Sequence, residues 1–160
     1  MVYKLSGALA ALFPGRCRLC GSRTAGGPGL CLPCRNEAPW LAHVCARCSL
    51  PLPASCDDSL CGRCQKQMPA FDATTALFHY RPPVDYLIKR LKFAGELAIG
   101  PLLSGLLAQR LACRESTLPG LLIPVPLHRS RLQQRGFNQA TELARGIGRQ
   151  LEIRSTHRLC

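Results

Sequence analysis

Apolar residues are distributed differently in the two parts of this chain, and the difference predicts two kinds of structure. Residues 14–66 contain no long apolar run, whereas the later residues contain several. Over residues 84–91, apolar side chains recur at helical spacing, which predicts an amphipathic helix directly after two prolines. A second helical pattern, rich in leucine, runs from about residue 100 to residue 112. Residues 71–80 are rich in β-branched and aromatic side chains and are predicted as a strand.

An unbroken apolar run at residues 121–127 predicts a buried strand with both faces covered. Basic residues follow in a predicted loop. Apolar residues then recur at helical spacing from Phe137 to Leu151, which predicts a helix that begins near Asn138. Residues 153–156 are suited to a second, parallel strand. Strand, loop, helix and strand together make one βαβ unit, so the predicted fold class of this part is α/β.

The basic loop of this unit carries Arg129, Arg131 and Arg135 and ends at Gly136. It lies at the carboxyl end of the predicted strand, where open α/β sheets bind their ligands. Unpaired backbone amides and the positive end of the helix dipole point to the same place. The pattern therefore predicts a site for an anionic ligand, with a solvated surface loop as the alternative interpretation.

Cysteine is concentrated near the N-terminus: the chain has 11 cysteines, and most of them form four CxxC pairs. Each CxxC turn directs two sulfur atoms to one point, and two such turns supply the four thiolates that structural zinc prefers. The arrangement occurs twice, so the sequence predicts two structural Zn²⁺ sites with consecutive pairing. The predicted ligands of the first site and then of the second are Cys17, Cys20, Cys31 and Cys34, and Cys45, Cys48, Cys61 and Cys64.

Other arrangements of these cysteines stay open from sequence. Secreted disulfides would need an export signal, and a thioredoxin-type redox pair would need a βαβ context around the CxxC. The two zinc sites could also interleave their pairs, and the second site could be degenerate or metal-free. Cys56, Cys113 and Cys160 are left over. Cys56 is interpreted as a passive thiol, with a substitute zinc ligand as the alternative.

The formal net charge of the chain is +12 at pH 7, mostly from arginine. Two zinc ions, each bound by four thiolates, would lower it to about +8, which is still basic. Such a charge favours phosphorylated or nucleic-acid partners, with a generally basic surface as the alternative.

No segment has the features of a membrane span or of a clear targeting signal. Residues 5–13 are apolar but short, and are predicted as an amphipathic N-terminal helix, with a signal peptide as the minor alternative. The apolar run over residues 97–108 is interrupted by Gly100 and Pro101 and is too short to cross a bilayer. We therefore expect a cytoplasmic protein without a membrane span.

The segment Pro-Val-Pro-Leu-His-Arg-x-Arg-x-x-x-Arg-Gly-Phe-Asn-Gln, at residues 124–139, strongly resembles the ComF/GntX family of phosphoribosyltransferase-like proteins. The block from Tyr80 to Phe93 resembles the family's Tyr…Lys-Phe block, and a double cysteine ribbon is also typical of the family. The resemblance implies an N-terminal helix and double zinc ribbon over residues 1–66. It also implies that residues 67–160 are the N-terminal part of a type I phosphoribosyltransferase-like (Rossmann-like) domain, which is incomplete.

The resemblance further implies a ligand and the residues that bind it. In the family's fold, the loop after the first core strand helps to hold the pyrophosphate end of phosphoribosyl pyrophosphate. The residues expected to bind phosphate or pyrophosphate are His128, Arg129, Arg131, Arg135, Gly136, Asn138 and Gln139. No catalytic residue is assigned.

The fold also needs adjacent acidic residues and a Thr/Gly-rich loop for the ribose and the 5′-phosphate, and no such segment is found before Cys160. The chain therefore resembles the N-terminal part of a family member, and we expect no transferase activity from it alone. Mg²⁺ is expected only with a complete transferase domain. Family members are associated with competence and DNA uptake. The alternative function is accordingly a zinc-ribbon module that binds single-stranded DNA in a salt-sensitive way.

Overall fold

The computed structural model of the chain describes residues 15–24, 29–55, 58–113 and 117–156. The cysteine-rich part contains β1 (Gly15–Arg16), β2 (Arg23–Thr24), α1 (Leu32–Asn36) and α2 (Gly62–Lys66). The later part contains α3 (Val84–Phe93), α4 (Ile99–Ala112), β3 (Leu121–Leu122), α5 (Arg129–Arg135), α6 (Gln139–Leu151) and β4 (Arg154–Ser155). The N-terminal helix predicted over residues 5–13 lies outside the described residues.

Both helices predicted in the connecting region are confirmed. α3 begins directly after Pro83 and buries Val84, Leu87 and Leu91 along one side. It is followed by Gly95, whose left-handed backbone conformation, φ +65°, favours glycine and turns the chain away from the helix. α4 covers the leucine-rich pattern predicted from about residue 100.

The βαβ unit predicted at the end of the chain is confirmed, but its first strand is shorter than predicted. β3 and β4 pair in parallel, with Leu121 opposite Arg154. The strand predicted over residues 121–127 is wrong beyond Leu122. The prediction that both its faces are covered is also wrong, since Ile123 is 53% exposed and Val125 is 75% exposed. The two prolines of this run explain the difference, because proline donates no hydrogen bond to a strand ladder.

The strand predicted over residues 71–80 is also wrong. In the described part of the chain, this segment makes an isolated antiparallel bridge between Phe78 and Trp40, whose ring centroids lie 4.4 Å apart. Its backbone bonds to the cysteine-rich part, where Leu41 donates its N–H to the carbonyl of Leu77 at 2.9 Å. The β-rich composition therefore produces an extended segment packed on a loop, because none of the described residues beside it belongs to a strand.

The helices and the first cysteine ribbon share one apolar core. Its buried members are Leu87, Leu91, Ile99, Leu102 and Leu106. The side chains packed against them include Leu19, Leu30 and Trp40 from the cysteine-rich part and Phe137 from the start of the βαβ helix. The domain boundary predicted after residue 66 stays a prediction.

An ion-pair network joins the first ribbon to the turn between α3 and α4. Glu96 accepts from Arg18 at 3.2 Å through one carboxylate oxygen and pairs with Arg90 through the other. Arg90 also donates to the backbone carbonyl of Arg18 at 3.2 Å. Since these side chains are mostly shielded from solvent, the network fixes the ribbon against the helices more firmly than an exposed pair would.

Replacing Glu96 with Gln should therefore lower stability, because two guanidinium groups then face a neutral amide. We expect a loss of about 1 kcal/mol, or an apparent Tm lower by about 2–4 °C in a chain of this size. Glu142→Gln is the matched control, since Glu142 pairs with Arg145 across one turn of α6, and it should change stability by less than about 0.5 kcal/mol. Equal effects of the two substitutions in thermal unfolding would contradict the structural role of Glu96.

Candidate metal centres and basic helix

The eight cysteines of the CxxC pairs form two separate tetrads. In each tetrad the sulfur atoms all lie within 4.8 Å of one another. The members are Cys17, Cys20, Cys31 and Cys34 in the first, and Cys45, Cys48, Cys61 and Cys64 in the second. The consecutive pairing predicted from the spacing is confirmed, and the interleaved alternative is wrong. All eight cysteines are free thiols, so the disulfide alternative is not supported.

Each tetrad is built from one turn and one short helix. In the first turn the N–H of Gly21 donates to the carbonyl of Cys17 at 2.9 Å, and in the second the N–H of Ser49 donates to Cys45 at 2.9 Å. Gly21 and Ser49 both have left-handed backbone, with φ of +75° and +56°. The other two cysteines of each tetrad lie at the start of α1 or α2, so the pairs face each other across the ribbon.

The polar surroundings of the sulfur atoms favour thiolates at some positions and oppose them at others. Burial by itself raises the pKa of Cys17, but backbone amides outweigh it and bring the pKa to about 6. The amide of Cys48 is the main cause of a pKa of about 6 at Cys45. Burial and neighbouring thiols raise the pKa of Cys64 to about 12 and that of Cys34 well above its usual range. Four thiolates this close together therefore require a cation.

Two structural Zn²⁺ ions fit these tetrads. Each tetrad offers four sulfur ligands, the set that closed tetrahedral zinc sites use. Because all four positions are supplied by the protein, none is left for water or substrate, and the zinc is structural. Cys113 is exposed and lies outside both tetrads. Cys56 and Cys160 lie outside the described residues.

The basic segment before the last helix is itself a helix. The prediction of a loop at residues 128–135 is wrong, because α5 spans Arg129–Arg135. His128 caps it, and its Nδ1 accepts from the N–H of Ser130 at 3.4 Å. Gly136 ends it with left-handed backbone, φ +75°, and donates its N–H to Leu132 at 2.8 Å. A glycine after the last turn is a usual signal of a helix end, whereas histidine is not among the residues that most often begin a helix.

The start of α6 is held by Asn138, as predicted for a helix that begins near this residue. Its Oδ1 accepts from the N–H of Ala140 at 2.9 Å, and its Nδ2 donates to the carbonyl of Val125 at 2.9 Å. The second bond ties the end of the apolar run to the helix start. The side chain of Asn138 therefore links the segment after β3 to the start of α6, in a region where the strands form no ladder.

Gln139 is the buried member of the predicted site, at 7% exposure. Its Oε1 accepts from Arg135 at 3.0 Å. Its Nε2 is buried and has no hydrogen-bond partner among the described residues. A buried hydrogen-bond donor without a partner lowers the stability of the folded chain unless a ligand or a water molecule accepts its bond.

The predicted site residues and the earlier Lys-Phe block meet at Arg135. The guanidinium of Arg135 lies 5.1 Å from the ring centroid of Phe93, at the end of α3. Arg129 and Arg131 are exposed and form no ion pair with a carboxylate among the described residues. The structure therefore fixes Arg135 beside the start of α6 and leaves Arg129 and Arg131 exposed to solvent on α5.

Comparison with known proteins identifies the cysteine-rich part. Residues 8–65 match the double zinc ribbon domain. No solved structure matches the chain at a significant level. In the described residues, no helix has both the length and the apolarity needed to cross a bilayer.

The chain is also similar to curated bacterial proteins. It is 36% identical over 146 residues to DNA utilization protein YhgH of Escherichia coli O6:H1. The aligned region covers 88% of this chain and 63% of that protein. It is 35% identical over 131 residues to competence protein F of Haemophilus influenzae. This alignment covers 78% of this chain and 55% of that protein. The chain thus spans less than two thirds of the length of these relatives. It has a double zinc ribbon domain and is homologous over most of its length to the YhgH/ComF competence proteins.

Proposed function

We propose that this chain takes part in DNA utilization and binds a phosphorylated ligand where α5 meets α6. The pyrophosphate group of phosphoribosyl pyrophosphate is the ligand suggested by the resemblance of residues 124–139. The observation that carries the proposal is the unpaired Nε2 of Gln139 beside the start of a 13-residue helix. The names of the relatives, DNA utilization protein and competence protein F, supply the cellular setting of the proposal.

The charges around this junction suit an anion. Arg135 is held between Gln139 and Phe93, so its position is set before a ligand arrives. Arg129 and Arg131 lie on the same helix and are free to close on the ligand. The positive end of the α6 dipole adds to their field. His128 and Gly136 define the two ends of α5 and thereby set where the arginines lie.

The proposal is one of binding rather than of turnover. Phosphoribosyl transfer needs charge stabilisation of the leaving pyrophosphate, which arginines can provide. It also needs groups that hold the ribose and Mg²⁺, and none of the described residues is assigned to either role. We therefore propose a phosphoribosyltransferase-like binding fold with no transferase activity from this chain alone. The free thiols are compatible with a reducing compartment, so the proposal places the chain in the cytoplasm.

The double substitution Arg129→Gln and Arg131→Gln tests the phosphate site. We expect pyrophosphate to bind at least about tenfold more weakly, because two charge-assisted hydrogen bonds are lost. Isothermal titration of the zinc-loaded chain with pyrophosphate, and with phosphoribosyl pyrophosphate plus Mg²⁺, measures the effect. Arg149→Gln is the control, because Arg149 is exposed in the last turn of α6, at the opposite end of that helix. Unchanged affinity in the double variant, or an equal loss in the control, would refute the site.

Single-stranded DNA is the second candidate ligand. The net charge of +12 favours polyanions, and exposed aromatic residues are available for unstacked bases. Such binding would be electrostatic in large part and would weaken as salt is raised. In this alternative the chain is a zinc-ribbon binding module without transferase activity.

A further inference from the structure

One side of α3 presents aromatic rings to solvent. Tyr86 is 53% exposed and Phe93 is 70% exposed, whereas Leu87 and Leu91 between them are buried in the core. Residues seven positions apart lie on the same side of a helix, about 10 Å apart along its axis. We call Tyr86, Lys89, Arg90 and Phe93 the aromatic face of α3. This face lies outside the phosphate site proposed above, except where Arg135 touches Phe93.

A guanidinium group lies beside each of the two rings. Arg90 is 5.2 Å from the ring centroid of Tyr86, and Arg135 is 5.1 Å from that of Phe93. Neither arginine is loose, because Arg90 is paired with Glu96 and Arg135 donates to Gln139 at 3.0 Å. The rings and the guanidinium planes are therefore positioned before any partner binds. Both kinds of group stack on nucleic-acid bases.

The carboxylates near this face are neutralised. Asp85 is paired with Lys89 at 2.8 Å, which lowers the pKa of Asp85 through that bond. Glu96 lies between Arg18 and Arg90. The local surface thus keeps a positive charge, which a polyanion needs.

The arrangement fits bases better than it fits a protein. A contiguous apolar patch is a mark of many protein-binding surfaces, whereas here the rings are separated by charged side chains. Alternation of rings and cations is the pattern of sites that bind single-stranded nucleic acid, in which bases stack and phosphates meet cations. Along the helix axis the two rings are about 10 Å apart, so one extended strand can reach both of them.

We infer that the aromatic face of α3 binds the unstacked bases of single-stranded DNA, with the strand's phosphates running toward Arg135 and α5. The inference assigns a contact surface to the second candidate function, and it rests on the phosphate site only for the phosphate end of this path. The base contacts at Tyr86 and Phe93 are independent of whether pyrophosphate binds.

Photocrosslinking tests the base contacts directly. An oligothymidine of about 20 nucleotides carrying 5-iododeoxyuridine is irradiated with the zinc-loaded full chain, and the adducts are mapped by mass spectrometry. We expect adducts at Tyr86 or Phe93. Tyr86→Leu and Phe93→Leu should each weaken binding of the unmodified oligomer about tenfold in fluorescence anisotropy. Both positions are exposed, so circular dichroism and the thermal midpoint should stay close to those of the parent chain.

Phe71→Leu is the matched control, because Phe71 is 46% exposed and lines a cavity beside the second ribbon but is not a residue of α3. It should leave the affinity within about twofold. Adducts confined to other residues, affinity unchanged in both α3 variants, or equal affinity for a duplex of the same sequence would overturn the inference. Tighter binding of oligouridine than of oligothymidine would overturn the assignment to DNA.

The two proposals fail separately. If Tyr86→Leu weakens oligothymidine binding while pyrophosphate does not bind the parent chain, the phosphate site is refuted and the base-binding face stands. If pyrophosphate binds and Arg129→Gln with Arg131→Gln abolishes it, but both α3 variants retain the oligomer, the base-binding face is refuted alone.

Discussion

Replacing Cys61 with Ser should leave the chain with one zinc ion instead of two and should unfold the second ribbon. Cys61 is 5% exposed and belongs to the second tetrad. It is also the N-cap of α2, a position that serine fills well. The Cys61 side chain makes no capping bond that could be lost, so the substitution removes only a zinc ligand and a large effect can be attributed to the metal.

The expected size of this effect follows from the composition of the second ribbon. The buried members of its apolar cluster are Cys45, Cys61 and Cys64, with Cys48, Leu52 and Leu60 packed against them. Most of this cluster is zinc ligands, so little apolar core is left once the metal is lost. Apparent zinc binding free energies of about 10–16 kcal/mol, found for structural sites, are of the size needed to hold such a module together.

The first ribbon should lose less structure than the second when its own zinc is removed. Its Leu19 and Leu30 pack on the core shared with α3 and α4, and Arg18 is paired with Glu96. Cys31→Ser, which also replaces a helix N-cap, should therefore lose one zinc ion but leave the helical part folded. The two variants therefore distinguish the second ribbon, whose core consists mostly of zinc ligands, from the first ribbon, which packs on the core of α3 and α4.

Elemental analysis and limited proteolysis measure both outcomes. For Cys61→Ser we expect one zinc per chain and new cleavage in residues 67–80, because this segment is fixed to the second ribbon through Ser49, which donates to Thr74 at 2.8 Å. Cys113→Ser is the control and should retain two zinc ions, since Cys113 is exposed and outside the tetrads. Two zinc ions in Cys61→Ser, or protection of residues 67–80, would contradict a structural metal at this position.

The zinc sites could be predicted from sequence because their determinants are local. A CxxC turn places two sulfurs within a few residues, and two such turns a short distance apart in the chain define a tetrad without any long-range contact. The helices α3 and α4 were predictable for the same reason, since their buried residues recur at a fixed spacing. The start of α6 at Asn138 also follows from a local capping bond.

Other features depend on residues far apart in the chain, and sequence patterns did not reveal them. Arg18 and Glu96 are 78 positions apart, and neither carries a recognisable signal for the pairing. The left-handed conformation of Ser49 is unusual for a residue other than glycine or asparagine, and a bond to residue 74 accompanies it.

The local structure predicted for the candidate site was wrong, whereas its role in binding stays a prediction. The apolar run at residues 121–127 has strand composition, but its prolines prevent a ladder. The basic segment ends at Gly136, a usual signal of a helix end, but His128 is not among the usual N-cap residues and Leu132 alone gives no apolar periodicity, so a loop was predicted. Binding of phosphate by these residues stays a prediction.

The second large effect concerns Gly148, where α6 meets the strand pair. A Cβ at this position would lie 2.6 Å from the backbone carbonyl oxygen of Ile153, and 3.8 Å from Cδ1 of Leu122. The carbonyl cannot move away easily, because Ile153 donates its own N–H to the carbonyl of Gly148 at 3.0 Å and lies next to β4. An added methyl group must therefore push β4 away from α6 and strain its pairing with β3.

Gly148→Ala should accordingly destabilise the βαβ unit by about 1–3 kcal/mol, the usual cost of overpacking, although alanine is the better helix former. Gly105→Ala is the matched control in α4, because a Cβ there would meet the Gln150 amide at 3.6 Å, an ordinary contact. That substitution should be neutral or stabilising by up to about 1 kcal/mol. Thermal unfolding of the zinc-loaded chains gives the order of stability. Faster amide exchange at Thr156, which donates to Leu122 at 3.1 Å, should locate the damage at the strand pair. A Gly148→Ala chain as stable as Gly105→Ala would show that α6 and β4 do not approach as closely as described.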